Sequence, residues 1–463
     1  MNRFDVSMSF RILVLLILPT AVFVEHVRAF DDAGREGKQS TVARIASPYD
    51  VATRSQLFAD KLLVRDTKAV SFTLHQGKKH PQNPLVVADK PWEGWRLEIF
   101  GSVIYDEDEQ VYKMWYIGES PEDFPNYATL YATSLDGVTW EKPLVATVDS
   151  ARGTKTNAVA IGYILASVMK DDADLDASQR YKMICWKQEP PYGAHLMVSP
   201  DGLSWRQVST DPICPSADVV TGFYDERRKI YVAFPKINAT VGDFERRCFG
   251  IITSPDFRNW TTPELVLTPD ARDDAGALAR IEQVRPILDQ PDDPKLMKTE
   301  FYGMGGNYTH GTPVLFHETD PESGAPSGRK SKFTSSIGMV SWPVDRFVSV
   351  DAGAEGGTLT TVPIVHQGDK LVINARTAPE GSIVIELLDA AGHSLDESEQ
   401  SQSFAGDELR HEVRWPGDAS VSSTKGQPIS LRFHLRDAEL FSFAFRAADQ
   451  VADIRSIDYP SSP

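Results

Sequence analysis

The chain is poor in cysteine and in positive charge. Its 463 residues include three cysteines, Cys185, Cys214 and Cys248, so at most one disulfide can form within the chain and one thiol is left over. The three are scattered without a Cys-x-x-Cys pair, which argues against a zinc site. Lysine and arginine total 48 against 65 acidic residues, a net charge of −17 at pH 7. This balance argues against a nucleic-acid partner, whose phosphates require a basic surface.

Common catalytic and cofactor motifs are also missing. The chain contains no P-loop, no dinucleotide fingerprint, no Gly-x-Ser-x-Gly elbow and no His-Glu-x-x-His motif. We therefore expect no cofactor and no metal. Long helical periodicity is absent, and beyond the N-terminus no segment is apolar enough to cross a membrane.

The N-terminus has the features of an export signal. Arg3 and Arg11 give a basic start, and Ile12–Val24 is apolar but short for a membrane span. Val27 and Ala29 supply small residues at the −3 and −1 positions, so we expect cleavage after Ala29 and a secreted or periplasmic protein without membrane association. An uncleaved N-terminal anchor is the alternative.

One short pattern recurs three times, each time after an apolar run. It begins with Ser-x-Asp, continues through a tight turn and ends in tryptophan, at Ser134–Trp140, Ser199–Trp205 and Ser254–Trp260. In such a turn the Asp side chain binds nearby backbone N–H groups, and Gly137 and Gly202 take the position with positive φ. Matching strand pairs precede each turn. A unit repeated every few tens of residues predicts the blades of a β-propeller.

The length and a change of texture at Val348 predict two domains in an all-β chain. We expect a signal peptide over residues 1–29, a leader over 30–56, a β-propeller over 57–347, a β-sandwich over 348–447 and a loose tail over 448–463. The sandwich is predicted because alternating strands are separated by turns about every ten residues.

Three acids stand directly before predicted innermost strands: Glu98, Asp218 and Glu300. Glu98 comes eight residues before Asp106, which ends its strand, and Asp218 comes seven before Asp225. Innermost strands of successive blades begin at one central funnel, so these carboxylates are expected to meet there. Carboxylates a few ångströms apart, one ionised and one protonated, are the equipment for glycosidic bond cleavage. The alternative is that they cap strands or bind backbone amides.

Further residues are candidates for binding substrate. Trp92, Trp95 and Arg96 lie beside Glu98, where aromatic rings can stack on sugar rings and a guanidinium can bind hydroxyls or an acidic group. The alternative for the two tryptophans is packing between blades. The same substrate-binding role is predicted for Asn157, Arg247, Tyr302 and His310. For Arg247 the competing role is a simple salt bridge, and for His310 it is a solvated turn.

These motifs carry a resemblance. Residues Trp95–Gly118, Tyr131–Trp140 and the Glu300-Phe-Tyr-Gly-Met segment resemble secreted bacterial propeller proteins similar to glycoside hydrolase families 32 and 43, and Asp351–Thr361 and Leu431–Arg446 resemble the β-sandwich that follows that propeller. The resemblance implies a five-bladed propeller with three acids around the funnel. The chain departs from it in lacking Trp-x-Asn-Asp-Pro-Asn, Arg-Asp-Pro and Glu-Cys, and about one blade's worth of chain is missing after Gly303.

The leading hypothesis is therefore a secreted glycoside hydrolase acting on a poly- or oligosaccharide, with Glu300 as the acid and Asp218 or Glu98 as the base. A non-catalytic carbohydrate-binding propeller is the alternative. A sialidase-like enzyme ranks lower, because only Arg96 and Arg247 are available for the arginine cluster that it needs.

Overall fold

The computed structural model describes residues 48–94, 96–100, 102–119, 127–145, 147–148, 155–225, 228–287, 290, 292–293, 317–319, 326–330, 335–395, 400–417 and 421–447. Over these residues the chain is predominantly β, with strands in several sheets and one α-helix, Ala271–Val284. The prediction of an all-β chain is confirmed.

Three antiparallel sheets follow one another along the chain, and their strands pair in sequence order, except that the first two strands of sheet A both pair with the third. Sheet A contains Arg96–Glu98, Val103–Asp106, Val111–Glu119, Ala128–Ser134 and Ala158–Ile161. Sheet B contains Tyr163–Lys170, Tyr181–Lys187, Ala194–Ser199 and Arg206–Gln207. Sheet C contains Val220–Asp225, Ile230–Val241, Phe244–Ser254 and Glu264–Leu267. Two short strand pairs lie outside them, Lys78–Lys79 with Val340–Ser341 and His317–Thr319 with Pro326–Lys330.

The repeated turn closes each sheet in the same way. Asp136 accepts hydrogen bonds from the backbone N–H groups of residues 138 and 139, and Asp201 and Asp256 do the same in their own turns. Gly137 and Gly202 have φ of 73° and 76°, and Phe257 takes this conformation in the third turn with φ of 60°. The predicted turn geometry is confirmed, and the third turn achieves it without glycine.

Serine hydroxyls join the first strands of the three sheets. Ser102 Oγ donates to the carbonyl of Ala166 and accepts the N–H of Val168. Ser167 Oγ donates to the carbonyl of Gly222 and accepts its N–H. Because residues 102, 167 and 222 are thus neighbours across the sheets, the starts of all three first strands lie on the same side of the molecule.

The remaining strands form one ten-stranded sheet, which we call the C-terminal sheet. Its two longest strands, Lys370–Asp389 and Ile429–Arg446, pair along most of their length with a register shift between Thr377 and Ser382. The other C-terminal members are Val348–Ala352, Gly357–Thr361, Ile364–His366 and Asp407–Glu412. The predicted C-terminal strands form a single hydrogen-bonded network wrapped around an apolar core.

Four early strands belong to this C-terminal sheet. Tyr49–Ala52 and Gln56–Leu57 pair with Ile364–His366 and Ile429–Arg446, and two further strands, Val64–Lys68 and Ser71–Leu74, join in the same way. The sequence predicted a leader over residues 30–56 and a propeller that begins at residue 57. The structure differs there, because residues 56–74 hydrogen-bond to strands much further along the chain, from Val348 opposite Leu74 to Phe443 opposite Gln56.

Candidate functional site

Glu98 and Asp218 occupy equivalent positions in sheets A and C. Each stands four residues before the point where the first strands touch, Ser102 in sheet A and Gly222 in sheet C. Phe100, two residues after Glu98, and Val219, which follows Asp218, are buried in one apolar cluster together with Ile117, Ile164 and Leu165. The backbone at both acids therefore adjoins the same cluster.

A buried lysine holds Asp218. The ammonium of Lys236 is fully buried and forms an ion pair with the Asp218 carboxylate, which is about 37% exposed. The backbone around the pair is fixed as well, because Lys236 N–H donates to the Val219 carbonyl and Ala217 N–H donates to the Lys236 carbonyl. Lys236 was not among the residues selected from the sequence. The feature that could have indicated it is a lysine within the otherwise apolar first half of the strand Ile230–Val241.

Glu98 is half-buried at the end of its strand, opposite Ile117. Its side chain lines a shallow depression together with Phe100, Tyr116, Thr129 and Ala166. The lining of this depression is largely apolar.

Trp92 and Asn157 are joined to each other. Trp92 Nε1 donates to Asn157 Oδ1 at 2.7 Å, and Asn157 Nδ2 donates to Tyr116 Oη and to the Tyr131 carbonyl, both at 2.8 Å. Asn157 is fully buried. The amide that was expected to bind substrate hydroxyls has its hydrogen bonds within the protein, where it ties residue 92 to sheet A.

The same network contains a buried carboxylate. Glu93 is fully buried, accepts a hydrogen bond from Tyr116 Oη at 2.7 Å and lies 2.6 Å from Lys142 Nζ. Burial, together with the Glu93 charge, raises the pKa of Tyr116 far above its usual value. Tyr116 therefore stays neutral and donates its hydrogen bond to the Glu93 carboxylate.

The other predicted binding residues have separate surroundings. Arg247 is half-buried in the strand Phe244–Ser254, opposite Asn238. Its neighbour Arg246 is buried and pairs with Asp274 at 2.6 Å. Arg96 contributes backbone to the strand Arg96–Glu98, and its side chain lies outside the described residues, as do Trp95, Glu300, Tyr302 and His310.

An aromatic pair that the sequence analysis did not select stands beside the shared cluster. The rings of Trp186 and Tyr192 are stacked, with centroids 6.0 Å apart and planes within 11°. Trp186 packs against the cluster that contains Val219, and Tyr192 is 56% exposed. An exposed Glu-Pro-Pro-Tyr loop begins three residues after Trp186, at Glu189. A tryptophan close to an exposed loop that carries a second aromatic residue was the sequence feature that could have indicated this pair.

Within the described part of the chain, no three His, Cys, Asp or Glu side chains are grouped so that they could hold a metal ion. Cys185, Cys214 and Cys248 are each free and buried. Burial raises the pKa of the Cys214 thiol to about 12, so it is protonated at neutral pH. No helix among the described residues has the length and apolar character needed to span a bilayer.

Comparison with known proteins gives partial matches. No family model matches the chain. Over 110 residues it is 31% identical to an uncharacterised protein of Mycobacterium tuberculosis; the match covers 23% of this chain and 33% of that protein. The chain thus spans about a third of the length of that relative.

Glycoside hydrolases are among the solved structures with some similarity. The chain is similar to an N-acetylgalactosamine deacetylase from F. plautii (TM-score 0.30, 13% identity, 49% of this chain and 77% of the other). It is similar to a family 117 glycoside hydrolase from Zobellia galactanivorans (TM-score 0.27, 12% identity, 42% and 61%). It is also similar to an exo-inulinase from Aspergillus awamori (TM-score 0.29, 11% identity, 78% and 99%). These scores are too low to assign a function to this chain, so the assignment depends on its own residues.

Proposed function

We propose that this protein is a secreted glycoside hydrolase-like protein that cleaves glycosidic bonds of a poly- or oligosaccharide with carboxylates at the mouth of a propeller funnel. The observation that carries the proposal is that Phe100, two residues after Glu98, and Val219, which follows Asp218, are buried in one apolar cluster, so the backbone at both acids adjoins it. Sheets A, B and C are then three successive blades.

The chemistry needs two carboxyl groups in different states. One, protonated, gives its proton to the leaving glycosidic oxygen, and the other, ionised, attacks the anomeric carbon or activates water. Asp218 is paired with the ammonium of Lys236 and suits the ionised role, and Glu98 is the alternative base. Glu300, which precedes the apolar Phe301 and Tyr302, is assigned as the acid from the sequence.

The proposal includes export and a mature N-terminus at Phe30. Mass spectrometry of the protein recovered from its native host tests this part. A mass that begins at residue 30 supports secretion or release to the periplasm, and an intact N-terminus in the cytoplasm contradicts it.

The competing function is carbohydrate binding without hydrolysis. The stacked Trp186 and Tyr192 rings favour it, because aromatic faces bind the apolar C–H faces of sugars whether or not a bond is cleaved. Hydrolysis needs a suitable pair of acids in addition, about 5–10 Å apart.

A reducing-sugar screen combined with a glycan array on the mature chain separates the two functions. For a hydrolase, Glu300→Gln, Asp218→Asn and Glu98→Gln each lower turnover by about a hundredfold to ten-thousandfold and leave sugar binding largely intact. Asp66→Asn, an exposed acid on the C-terminal sheet, is the matched control and keeps full activity. Sugar binding without any turnover supports the binding protein. Full turnover in all three acid variants removes the proposed site.

A further inference from the structure

At the end of the second strand of sheet B, several buried polar atoms have no hydrogen-bond partner among the described residues. Gln188 is 1% exposed, and among the described residues neither its Oε1 nor its Nε2 has a hydrogen-bond partner. Nε1 of Trp186, two positions earlier, is also buried and has no partner within the same part of the chain. A buried polar group left unpaired costs free energy, and such groups in a folded protein call for an explanation.

The three atoms belong to residues that are two positions apart in the chain. The strand Tyr181–Lys187 ends just before Gln188, whose N–H still bonds to the Gly162 carbonyl at 2.8 Å, so the backbone continues along the first strand of sheet B. In extended backbone, residues two apart share a face. Trp186 and Gln188 therefore present one indole N–H, one amide NH₂ and one amide oxygen to the same small region.

That region is next to the proposed acids. Trp186 packs against the cluster that contains Val219, and Val219 directly follows Asp218. The exposed ring of Tyr192 lies parallel to the Trp186 indole and is carried by residues 189–192, which are all exposed. The tyrosine can leave the indole without disturbing a buried core.

We propose that Trp186, Gln188 and Tyr192 form a binding subsite for one neutral sugar unit beside Asp218, filled when the Tyr192 ring moves off the face of Trp186. The sugar enters between the two rings, so that its C–H faces stack on both Trp186 and Tyr192, and its hydroxyls pair with the amide of Gln188 and the indole N–H. The amide is uncharged and can both donate and accept, which suits hydroxyl groups that do both. The subsite rests on the proposed function, in which the substrate is a carbohydrate, and it specifies where one sugar unit binds and through which contacts.

Titration calorimetry on the Asp218→Asn protein, in which turnover is suppressed, tests the subsite. The probes are cellotetraose, xylotetraose, galactotetraose and the fructan trisaccharide kestose. Gln188→Leu and Tyr192→Ala are each expected to weaken binding of the recognised sugar by about tenfold. Tyr105→Ala is the matched control, because Tyr105 is also exposed and ring-packed, against Tyr112, but lies at the far end of its strand; it should bind as the parent does.

Stability measurements separate the subsite from a structural role. Gln188→Leu removes two unpaired buried atoms, so the urea midpoint of this variant should not fall. If Gln188 instead has a purely structural role, bonded to a buried water, its replacement by leucine would lower the midpoint and leave the affinity for sugar unchanged. Tyr192→Ala changes an exposed side chain and gives an independent folded variant.

Binding by both variants at the parent's affinity, or no binding of any of the four probes by the parent, overturns the subsite. The proposed hydrolysis is judged separately, by the reducing-sugar screen on the unsubstituted protein. If binding depends on Gln188 but the screen shows no turnover, the subsite is supported and hydrolysis is contradicted. If the protein shows turnover that Gln188→Leu and Tyr192→Ala leave unchanged, hydrolysis is supported and the subsite is contradicted.

Discussion

Sheets A to C and the C-terminal sheet are held together by different interactions. Neighbouring sheets A and B meet through buried charge: the carboxylate of Asp106 lies 2.8 Å from Lys113 Nζ and also accepts a hydrogen bond from Tyr181 of the next sheet. Both charged side chains are about 2% exposed. Lys170 of sheet B adds a second ammonium to Asp106 at 2.9 Å.

The same arrangement recurs one sheet further on. Asp171 pairs with Lys182 at 3.1 Å and accepts a hydrogen bond from Tyr231 of sheet C. In both cases an Asp at the end of a first strand is joined to a Lys of its own sheet and a Tyr of the next. The contact is directional, so it fixes how one sheet is placed on its neighbour.

The C-terminal sheet depends on apolar area instead. Its core contains fully buried side chains from several strands, among them Leu359, Leu431, Phe433 and Phe445, and the early strands add Val51 and Phe58. His366 is buried within this core, where it stacks on Phe445 with centroids 3.9 Å apart and is hydrogen-bonded to Thr424 and the Gly368 carbonyl, and burial lowers its pKa. Sheets A to C also have apolar clusters, but buried polar bonds fix how each is placed on its neighbour, whereas the C-terminal sheet holds a larger apolar core whose burial is not directional.

The largest expected effect is the loss of an aromatic ring from the C-terminal core. Phe433→Ala should lower the free energy of unfolding by about 3–5 kcal/mol, because it removes buried area and leaves a cavity. Urea unfolding followed by far-UV circular dichroism measures it. Leu74→Ala, on the same sheet but 77% exposed, is the control and should change stability by less than about 0.5 kcal/mol. Equal effects would contradict the apolar core.

Next comes the removal of one buried charge between sheets A and B. Asp106→Asn should cost about 3 kcal/mol, because the buried ammonium of Lys113 loses its buried carboxylate partner and keeps only the exposed Glu109. Adding Lys113→Met should recover part of this loss, since the second substitution removes the incompletely compensated buried charge. A double variant no more stable than Asp106→Asn alone, again by urea unfolding, would show that the pair does not act as a unit.

The third prediction concerns pH. Burial opposes ionisation of Asp106, but hydrogen bonds from Lys113, Tyr181 and Lys170 outweigh it and hold the pKa of this carboxyl far below its usual value. The folded pKa is depressed, so its stabilising contribution is complete above the unfolded pKa of about 3.9 and is lost as the pH falls below that value. Urea midpoints measured between pH 5 and pH 2 should fall more steeply in the parent than in Asp106→Asn. Phe433→Ala should keep the parent's slope, and a parallel loss of slope there would break the distinction between the two regions.

The smallest effect is expected in the repeated turn. Asp136→Ala removes the acceptor of two backbone N–H groups and should cost about 1 kcal/mol. The turn is local to sheet A, so the unfolding midpoint should shift without a change in its pH dependence above pH 5. Thermal unfolding compared with the Asp66→Asn control measures it, and an unchanged midpoint would assign the turn no share in stability.

The sequence predicted those features that short-range chemistry controls. Ser-x-Asp-Gly sets its own turn through bonds within a few residues, so the turns at Asp136 and Asp201 were recognisable. The position of Asp218 before its strand followed from the same repeat, whereas Glu98, expected before a strand, is the last residue of the strand Arg96–Glu98. In the third turn Phe257 replaces glycine at positive φ, and its burial against Tyr231 offsets the backbone strain there.

Features that depend on distant partners were not predictable in this way. Lys236 looks like a misplaced charge until Asp218 is beside it, and Asn157 looks available until Trp92 and Tyr116 occupy its amide. The strands at Tyr49–Leu74 have no local feature that points to the C-terminal sheet. Their pairing depends on edges that form from residues far along the chain.

That pairing has a consequence for synthesis on the ribosome. Arg446 binds the Thr53 carbonyl, 393 positions earlier, and Gln56 pairs with Phe443. The first strands to emerge must therefore wait, unpaired, while sheets A, B and C are made and folded. A chain interrupted before its last long strand exposes Val51 and Phe58 without their partners, so truncated products of this protein should be bound by chaperones and removed by proteases even when their first three sheets are complete.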